Sequence, residues 1–294
     1  MKPLRSLLIM PANRADMLAK SPTYGADALV FDLEDSVPVA EKPKARVLAR
    51  EAIEKHRVRE DTAMYVRVNS LQTGMTSDDL DAVVTEGLLG VRLTKAESAA
   101  DILEVDRMLT ALENKRGLKE GSIGIGPSLE SAKGVWFAYE ILSASKRLFC
   151  VVAGTAQDGD LQADLGYLWT VEGNEVLYVR SRILLAARAA GIEHVLDGSY
   201  ANIRDPDGLR ACCEAARKLG YRGRSIIHPN QVEITHQVFT PTRKELDYYK
   251  RVIDTFEAAV ARGSAATTLD GKLVDYAMVS MAKRVLSWGE ALVK

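Results

Sequence analysis

The 294-residue chain is 47% hydrophobic and nearly neutral, with 39 basic against 40 acidic residues. Without a basic excess, nothing in the composition points to nucleic acid or to an anionic membrane surface, and no apolar run is long enough to span a bilayer. Three cysteines (Cys150, Cys212, Cys213) without a CxxC pair fit a reducing cytoplasm, with neither a disulfide framework nor a zinc site expected.

The apolar part of the opening MKPLRSLLIMPANR is too short for a secretory segment and reads as a first strand. In chain order, short apolar runs fall at 6–10, 28–33, 64–68, 88–93, 122–126, 148–153, 194–196 and 225–227. Segments of helical period fall between them at 43–56, 96–115, 131–145, 175–190 and 208–219. Several of the short runs are β-branched and bounded by Gly, Pro or Asp, as buried parallel strands are. Gly191 and Gly220 each follow a helical segment where a C-cap belongs. The alternation predicts an α/β fold, a closed (β/α)8 TIM barrel, although an open doubly wound sheet fits the same strand count. A barrel takes about 250 residues. We therefore expect a catalytic barrel domain over 1–235 and a C-terminal helical arm or lid over 236–294. Within that tail, 242–262 reads as a charged helix, 263–271 as a loose Ser/Ala/Thr/Gly linker, and 273–286 as a second helix. The pair either reaches a neighbouring subunit or packs as an ordinary helical appendage. No GxGxxG follows the first strand, and GxxxxGK[ST], GxSxG and HExxH are missing from the sequence.

Charged residues recur where these strands end: Glu34, Arg67, Glu130, Asp160 and Asp197. In a (β/α)8 barrel the strand C-termini share one face, and catalysis is built there. Glu130 and Asp160, after the fifth and sixth runs, are oxygen ligands suited to Mg²⁺ completed by water and substrate. Asp158 and Asp164 compete for the same role, and any one of these acids alone is better explained as a helix cap, but the set is not, because capping does not explain the facing Arg67. Arg67, at the end of the third run, suits bidentate binding of a carboxylate, or else an ion pair with Glu34 or Asp35. Glu34 and Asp35 end the second run with Asp32 alternating with them, and among these acids one reaches the metal through water while another fixes Arg67 or caps a turn. Asn13, Arg14 and Lys20 follow the first strand and suit a phosphorylated ligand. Lys95 ends the fourth run, where it neutralises carboxylates or serves as a Schiff-base lysine. His228 is read as structural rather than as an acid/base residue.

With these residues placed, the chain resembles the citrate lyase beta subunit and malyl-CoA lyase group of the HpcH/HpaI aldolase superfamily. RSLLIMPANR, GADALVFDLEDSVPVAEKPKAR, VRVNS, LESAKGV, DLQADLG, GIEHVLDGSYANIRDPDGL and LGYRGRSIIHPNQV follow in that family's order, nearly end to end. The resemblance implies a (β/α)8 barrel assembled as a homotrimer or hexamer. It implies a Mg²⁺-dependent carbon–carbon lyase acting on a CoA thioester of a 3-hydroxy acid, such as a citryl, malyl or citramalyl thioester. It makes Glu130 and Asp160 the metal ligands and gives Arg67 the keto-acid portion of the substrate. Glu34 and Asp35 then stand behind the metal and Arg67, while Asn13, Arg14 and Lys20 approach the CoA. A catalytic Asp arrives from a neighbouring subunit's C-terminal arm, which in LDGKLVDYAMVSMAKRVL corresponds to Asp275. Thr94-Lys95 stands where the family has Pro-Lys, and the loop GTAQDGDLQADLG is slightly long. A CoA-independent class II aldolase of pyruvate and an aldehyde, a thioesterase, and an accessory lyase subunit remain alternatives.

Overall fold

A computed structural model describes residues 3–57 and 63–293. Leu4–Gln237 is one compact unit, and Val238–Lys294 makes up most of a second.

In the first unit eight parallel strands close into a barrel in sequence order. They are β1 (Ser6–Pro11), β2 (Ala28–Asp32), β3 (Ala63–Val68), β4 (Gly90–Leu93), β5 (Gly124–Leu129), β6 (Cys150–Ala153), β7 (His194–Asp197) and β8 (Gly223–Ile226). β1 pairs with both β2 and β8, which closes the ring and removes the open-sheet alternative. Helices α1 (Ala15–Lys20), α2 (Lys42–His56), α3 (Thr76–Val83), α4 (Ala99–Arg116), α5 (Ala132–Trp136), α6 (Ala138–Leu142), α7 (Asp160–Leu165), α8 (Leu177–Ala189) and α9 (Pro206–Leu219) lie between the strands in sequence. α10 (Gln231–Phe239) follows β8. This is a TIM barrel. β2, β4, β6, β7 and β8 are buried along their whole length, as strands covered on both faces must be.

Alternate residues fill the barrel's interior. Leu7, Ala28, Val30, Tyr65, Cys150, Val152 and Leu196 form one apolar cluster, with Ile9 and Phe149 packed against it. The rings of Phe149 and Tyr65 stack with centroids 4.8 Å apart. Phe149 lies where side chains from the neighbouring strands would otherwise go. A Cβ on Gly90, Gly124 or Gly126 would come within 3.0, 2.6 or 3.2 Å of its ring.

Local signals set the helix ends. Ser98 and Asp101 form a reciprocal capping box at α4, and Gly117 ends that helix at φ 68°. Asp205 caps α9, which begins at Pro206 and ends at Gly220. The single helix expected over 131–145 is broken at Phe137. Arg182, from α8, donates to the carbonyls of Val135 and Trp136, taking acceptors that a continuous helix would use.

The second unit holds α11 (Arg243–Ala261), a two-stranded antiparallel sheet of β9 (Thr267–Leu269) and β10 (Lys272–Val274), and α12 (Tyr276–Val293). The hairpin replaces most of the loose linker expected over 263–271, and the last helix starts at Tyr276 rather than at 273. Val252, Phe256, Val274, Val279 and Ala282 form this unit's core. Among the described residues, no helix is long and apolar enough to cross a membrane.

His194 couples the barrel to pH. Burial, with the Arg222 cation acting in the same direction, pushes its imidazole down to about 4. In the unfolded chain it takes a proton near 6.5, so between these values the unfolded state binds more protons. Stability is fully present above about pH 6.5 and falls as the pH drops toward 4, by at most about 3 kcal/mol. Urea unfolding across this range is expected to show that loss in the native protein and a flatter profile in His194→Gln.

Candidate active site

The segment after β2 is built around Asp32, a fully buried inward-facing acid. Its Oδ1 accepts from the amide of Glu34 (2.9 Å), and its Oδ2 accepts from the amide and hydroxyl of Ser36. Both oxygens also accept from Arg67 on β3, from Nε at 2.6 Å and Nη2 at 2.7 Å. Burial alone would raise the Asp32 carboxyl, but the Arg67 fork outweighs it and holds it below the usual range. The expected pairing of Arg67 with Glu34 or Asp35 is thus only part of its environment. Asp32 takes one edge of the guanidinium, and Nη1 faces Glu34 Oε2 at 2.8 Å and Asp35 Oδ2 at 3.6 Å.

Buried Lys42 fixes the same segment from below. Its Nζ donates to the carbonyls of Leu33 (2.7 Å) and Glu34 (2.9 Å) and to Asn69 Oδ1 (2.7 Å). Glu34 is 5% exposed, and its Oε2 meets Arg67 Nη1 as an ion pair without hydrogen-bond alignment, with no hydrogen-bond donor among the described residues. Burial pushes its carboxyl up to about 7, with Glu130 and Asp35 adding to the rise and Arg67 opposing it. Glu34 is therefore a carboxyl able to exchange a proton near neutrality.

Glu130 directly follows β5, and Ser131 beside it caps α5 by accepting from the amide of Gly134 (3.1 Å). Glu130 Oε1 accepts from the backbone amide of Lys95 at 2.8 Å. Burial raises its carboxyl, and Asp160 adds to the rise, against Arg92 and Arg67. Gly154, just past β6, admits no side chain: a Cβ there would lie 2.3 Å from the Cβ of Glu130. Asp160 is the first residue of α7, with 45% of its side chain exposed. Lys95 Nζ lies 3.3 Å from Asp160 Oδ1 and 3.7 Å from Glu34 Oε1.

Glu130, Asp160, Asp164, Ser131 and Lys95 line one cavity of about 290 Å³. Asp158 is absent from its lining, and Asp164 is engaged in accepting from the amide of Ala132 (2.6 Å). A larger cavity of about 380 Å³, beside Asn202, Arg204 and Asn230, has one acid, Asp205, already bound to Tyr200 and the Gly208 amide. The smaller cavity is the chemically equipped one. Among the described residues, no three His, Cys, Asp or Glu converge into a closed metal cage. Two carboxylates with open positions beside them, already drawing in an ammonium group, nevertheless fit Mg²⁺, which keeps waters and binds substrate in an incomplete protein shell.

The structure separates Asp197 from this group. Leu196 points inward, so Asp197 points out of the barrel and is fully buried. It accepts from Arg180 Nε (3.2 Å) and Nη2 (3.1 Å), from Arg224, and from the hydroxyl of Thr155 (2.7 Å). The expectation that Asp197 joins the mouth is therefore corrected: it anchors a structural ion network.

Asn13, Arg14 and Lys20 lie on the β1–α1 segment. Asn13 donates to Glu41 (2.7 Å) and keeps a buried Oδ1 without a partner among the described residues, while exposed Arg14 pairs with Asp16 (3.1 Å). In the second unit, Asp275 Oδ1 caps α12, accepting from the amides of Ala277 (2.9 Å) and Met278 (3.1 Å).

The sequence reading missed Lys42 and Arg92. Arg92 is buried inside the barrel, beside Arg67 in strand register, donating to Ser128 (2.8 Å) and Ser225 (3.0 Å). A basic residue within an apolar run, the signal that marked Arg67, also marks Arg92.

Acids, a lysine and an arginine gathered at the C-terminal mouth of a closed parallel barrel form the working end of a barrel enzyme. The chain belongs to the HpcH/HpaI aldolase/citrate lyase family, whose sequence profile matches residues 5–229, and it is a lyase of that family. It is 37% identical to the citrate lyase subunit beta of Escherichia coli K12, over 97% of this chain and 93% of that one. It is 34% identical to a (3S)-malyl-CoA thioesterase of Cereibacter sphaeroides, over 99% and 96% of the two chains. The crystal structure of CitE from Mycobacterium tuberculosis, in complex with magnesium, acetoacetate and coenzyme A, superposes with a TM-score of 0.77 at 29% identity, covering 98% of both chains.

Proposed function

We propose that this protein is a Mg²⁺-dependent carbon–carbon lyase that cleaves, or in reverse forms, a CoA thioester of a 3-hydroxy acid such as citryl-, malyl- or citramalyl-CoA. The observation that carries this reading is the pair Glu130 and Asp160, facing one cavity beside Glu34 and next to Arg67. The magnesium, acetoacetate and coenzyme A held by the M. tuberculosis relative support it.

Glu130 and Asp160 would hold Mg²⁺, which supplies Lewis-acid polarisation of the keto-acid carbonyl. Arg67, held by Asp32 at Nε and Nη2, would offer Nη1 to the developing oxyanion in place of its contact with Glu34. In the cleavage direction a base removes the 3-hydroxyl proton and the C2–C3 bond breaks. The bond's electrons pass to the thioester as an enolate, which a proton then quenches to give a shorter acyl-CoA and a keto acid. Glu34 is suited to one of these transfers by its near-neutral carboxyl. Asp275, delivered from a neighbouring subunit of a trimer or hexamer, is assigned the other, with its Oδ2 left over from capping α12. In this reading 1–235 is the catalytic domain, 236–294 the arm, and Asn13, Arg14 and Lys20 approach the CoA.

Thioester hydrolysis is the second reading, favoured by the 34% identity to a malyl-CoA thioesterase. The test incubates purified protein and Mg²⁺ with malyl-, citramalyl-, β-methylmalyl- and citryl-CoA, follows products by mass spectrometry, and uses EDTA as control. A keto acid plus a shorter acyl-CoA, lost with EDTA, is the expected result. Free CoA with intact hydroxy acid would replace the lyase with the thioesterase. No EDTA-sensitive change would overturn both in favour of a CoA-independent aldolase or a carrier-dependent subunit.

A further inference from the structure

Lys95 touches three carboxylates of the mouth at once. Its backbone has φ 51°, a left-handed conformation that costs a straight-chain residue energy unless its surroundings hold it there. That turn places its amide on Glu130 Oε1 (2.8 Å), while its ammonium reaches Asp160 Oδ1 (3.3 Å) and Glu34 Oε1 (3.7 Å). The ammonium and a divalent cation therefore want the same Asp160 oxygen. Two cations this close cannot share it without strong repulsion.

We propose that Lys95 is a built-in competitor for the divalent cation. Its ammonium neutralises Asp160 and Glu34 in the metal-free enzyme, and metal binding displaces it from Asp160. The displaced ammonium stays in the cavity, where it is available to a carboxylate of the anionic substrate. The inference rests on the reading of Glu130 and Asp160 as metal ligands.

The experiment titrates Mn²⁺ into the native protein, Lys95→Met, Lys95→Arg and Glu130→Gln, reading bound metal by electron paramagnetic resonance. Methionine keeps the backbone amide on Glu130 and has no less freedom at positive φ than lysine, and thermal melts confirm folding. Lys95→Met is expected to bind Mn²⁺ on the order of tenfold more tightly than the native protein, with Lys95→Arg close to native. Equal or weaker binding in Lys95→Met, with binding still lost in Glu130→Gln, would overturn the competitor role and leave the metal site standing. Native protein that binds no Mn²⁺, or binds it as well as Glu130→Gln does, would overturn the metal reading and this inference together.

Discussion

Glu130→Ala is expected to lower Mg²⁺-dependent turnover by about a thousandfold while the barrel stays folded. The carboxylate sits where burial and Asp160 both disfavour its charge, so a bound cation is its natural complement. If Glu130 holds Mg²⁺ as proposed, its removal forfeits several kcal/mol of transition-state stabilisation, and about 4 kcal/mol corresponds to that factor. The structural loss is much smaller. It amounts to one hydrogen bond from the Lys95 amide, worth about 1 kcal/mol, offset by relief of the charge repulsion. Steady-state kinetics at fixed Mg²⁺ alongside a thermal melt separates the two effects. Near-native turnover would dismiss Glu130 as a ligand.

The largest stability effect is expected at Asp197, outside the active site. Asp197→Ala strips the counter-charge from Arg180 and Arg224, which are 3% and 2% exposed. Breaking a buried pair by removing one partner costs about 3–5 kcal/mol, because the remaining charge stays uncompensated. Here two cations are left facing each other, which places the variant at the upper end. Thermal unfolding should show a midpoint lower by roughly 10 °C. A midpoint unchanged within error would mean that the network adds nothing to the fold.

Asp197 also shows how far the sequence can be read. Every barrel strand lies on or beside an apolar run, because strands covered on both faces must be apolar throughout. The mouth residues are likewise visible in the sequence, Arg67 as a charge inside an apolar run and Glu34, Glu130 and Asp160 as acids in the segments that follow such runs. Which way a strand residue points is a matter of parity, however, and one step reverses it. Asp32 and Arg67 point inward and Asp197 outward. Leu196, inward in the apolar cluster, was the residue that could have settled the last case. Asp32 could not be singled out as Arg67's main partner because Glu34 and Asp35 offer the same chemistry two and three residues later. The hairpin at Thr267–Val274 was concealed by strands of three residues each, although Asp270-Gly271 between Leu269 and Lys272 is a favoured hairpin turn. Lys42 could be found only in three dimensions, since its acceptors are the Leu33 and Glu34 carbonyls and Asn69, 27 residues away.

The ring of Phe149, lodged across Gly90, Gly124 and Gly126 and stacked on Tyr65, occupies the end of the barrel opposite the acidic mouth. With that end filled by side chains, exchange with solvent belongs to the acidic mouth. A reaction that splits one molecule into two must then discharge both fragments through the opening by which the parent entered.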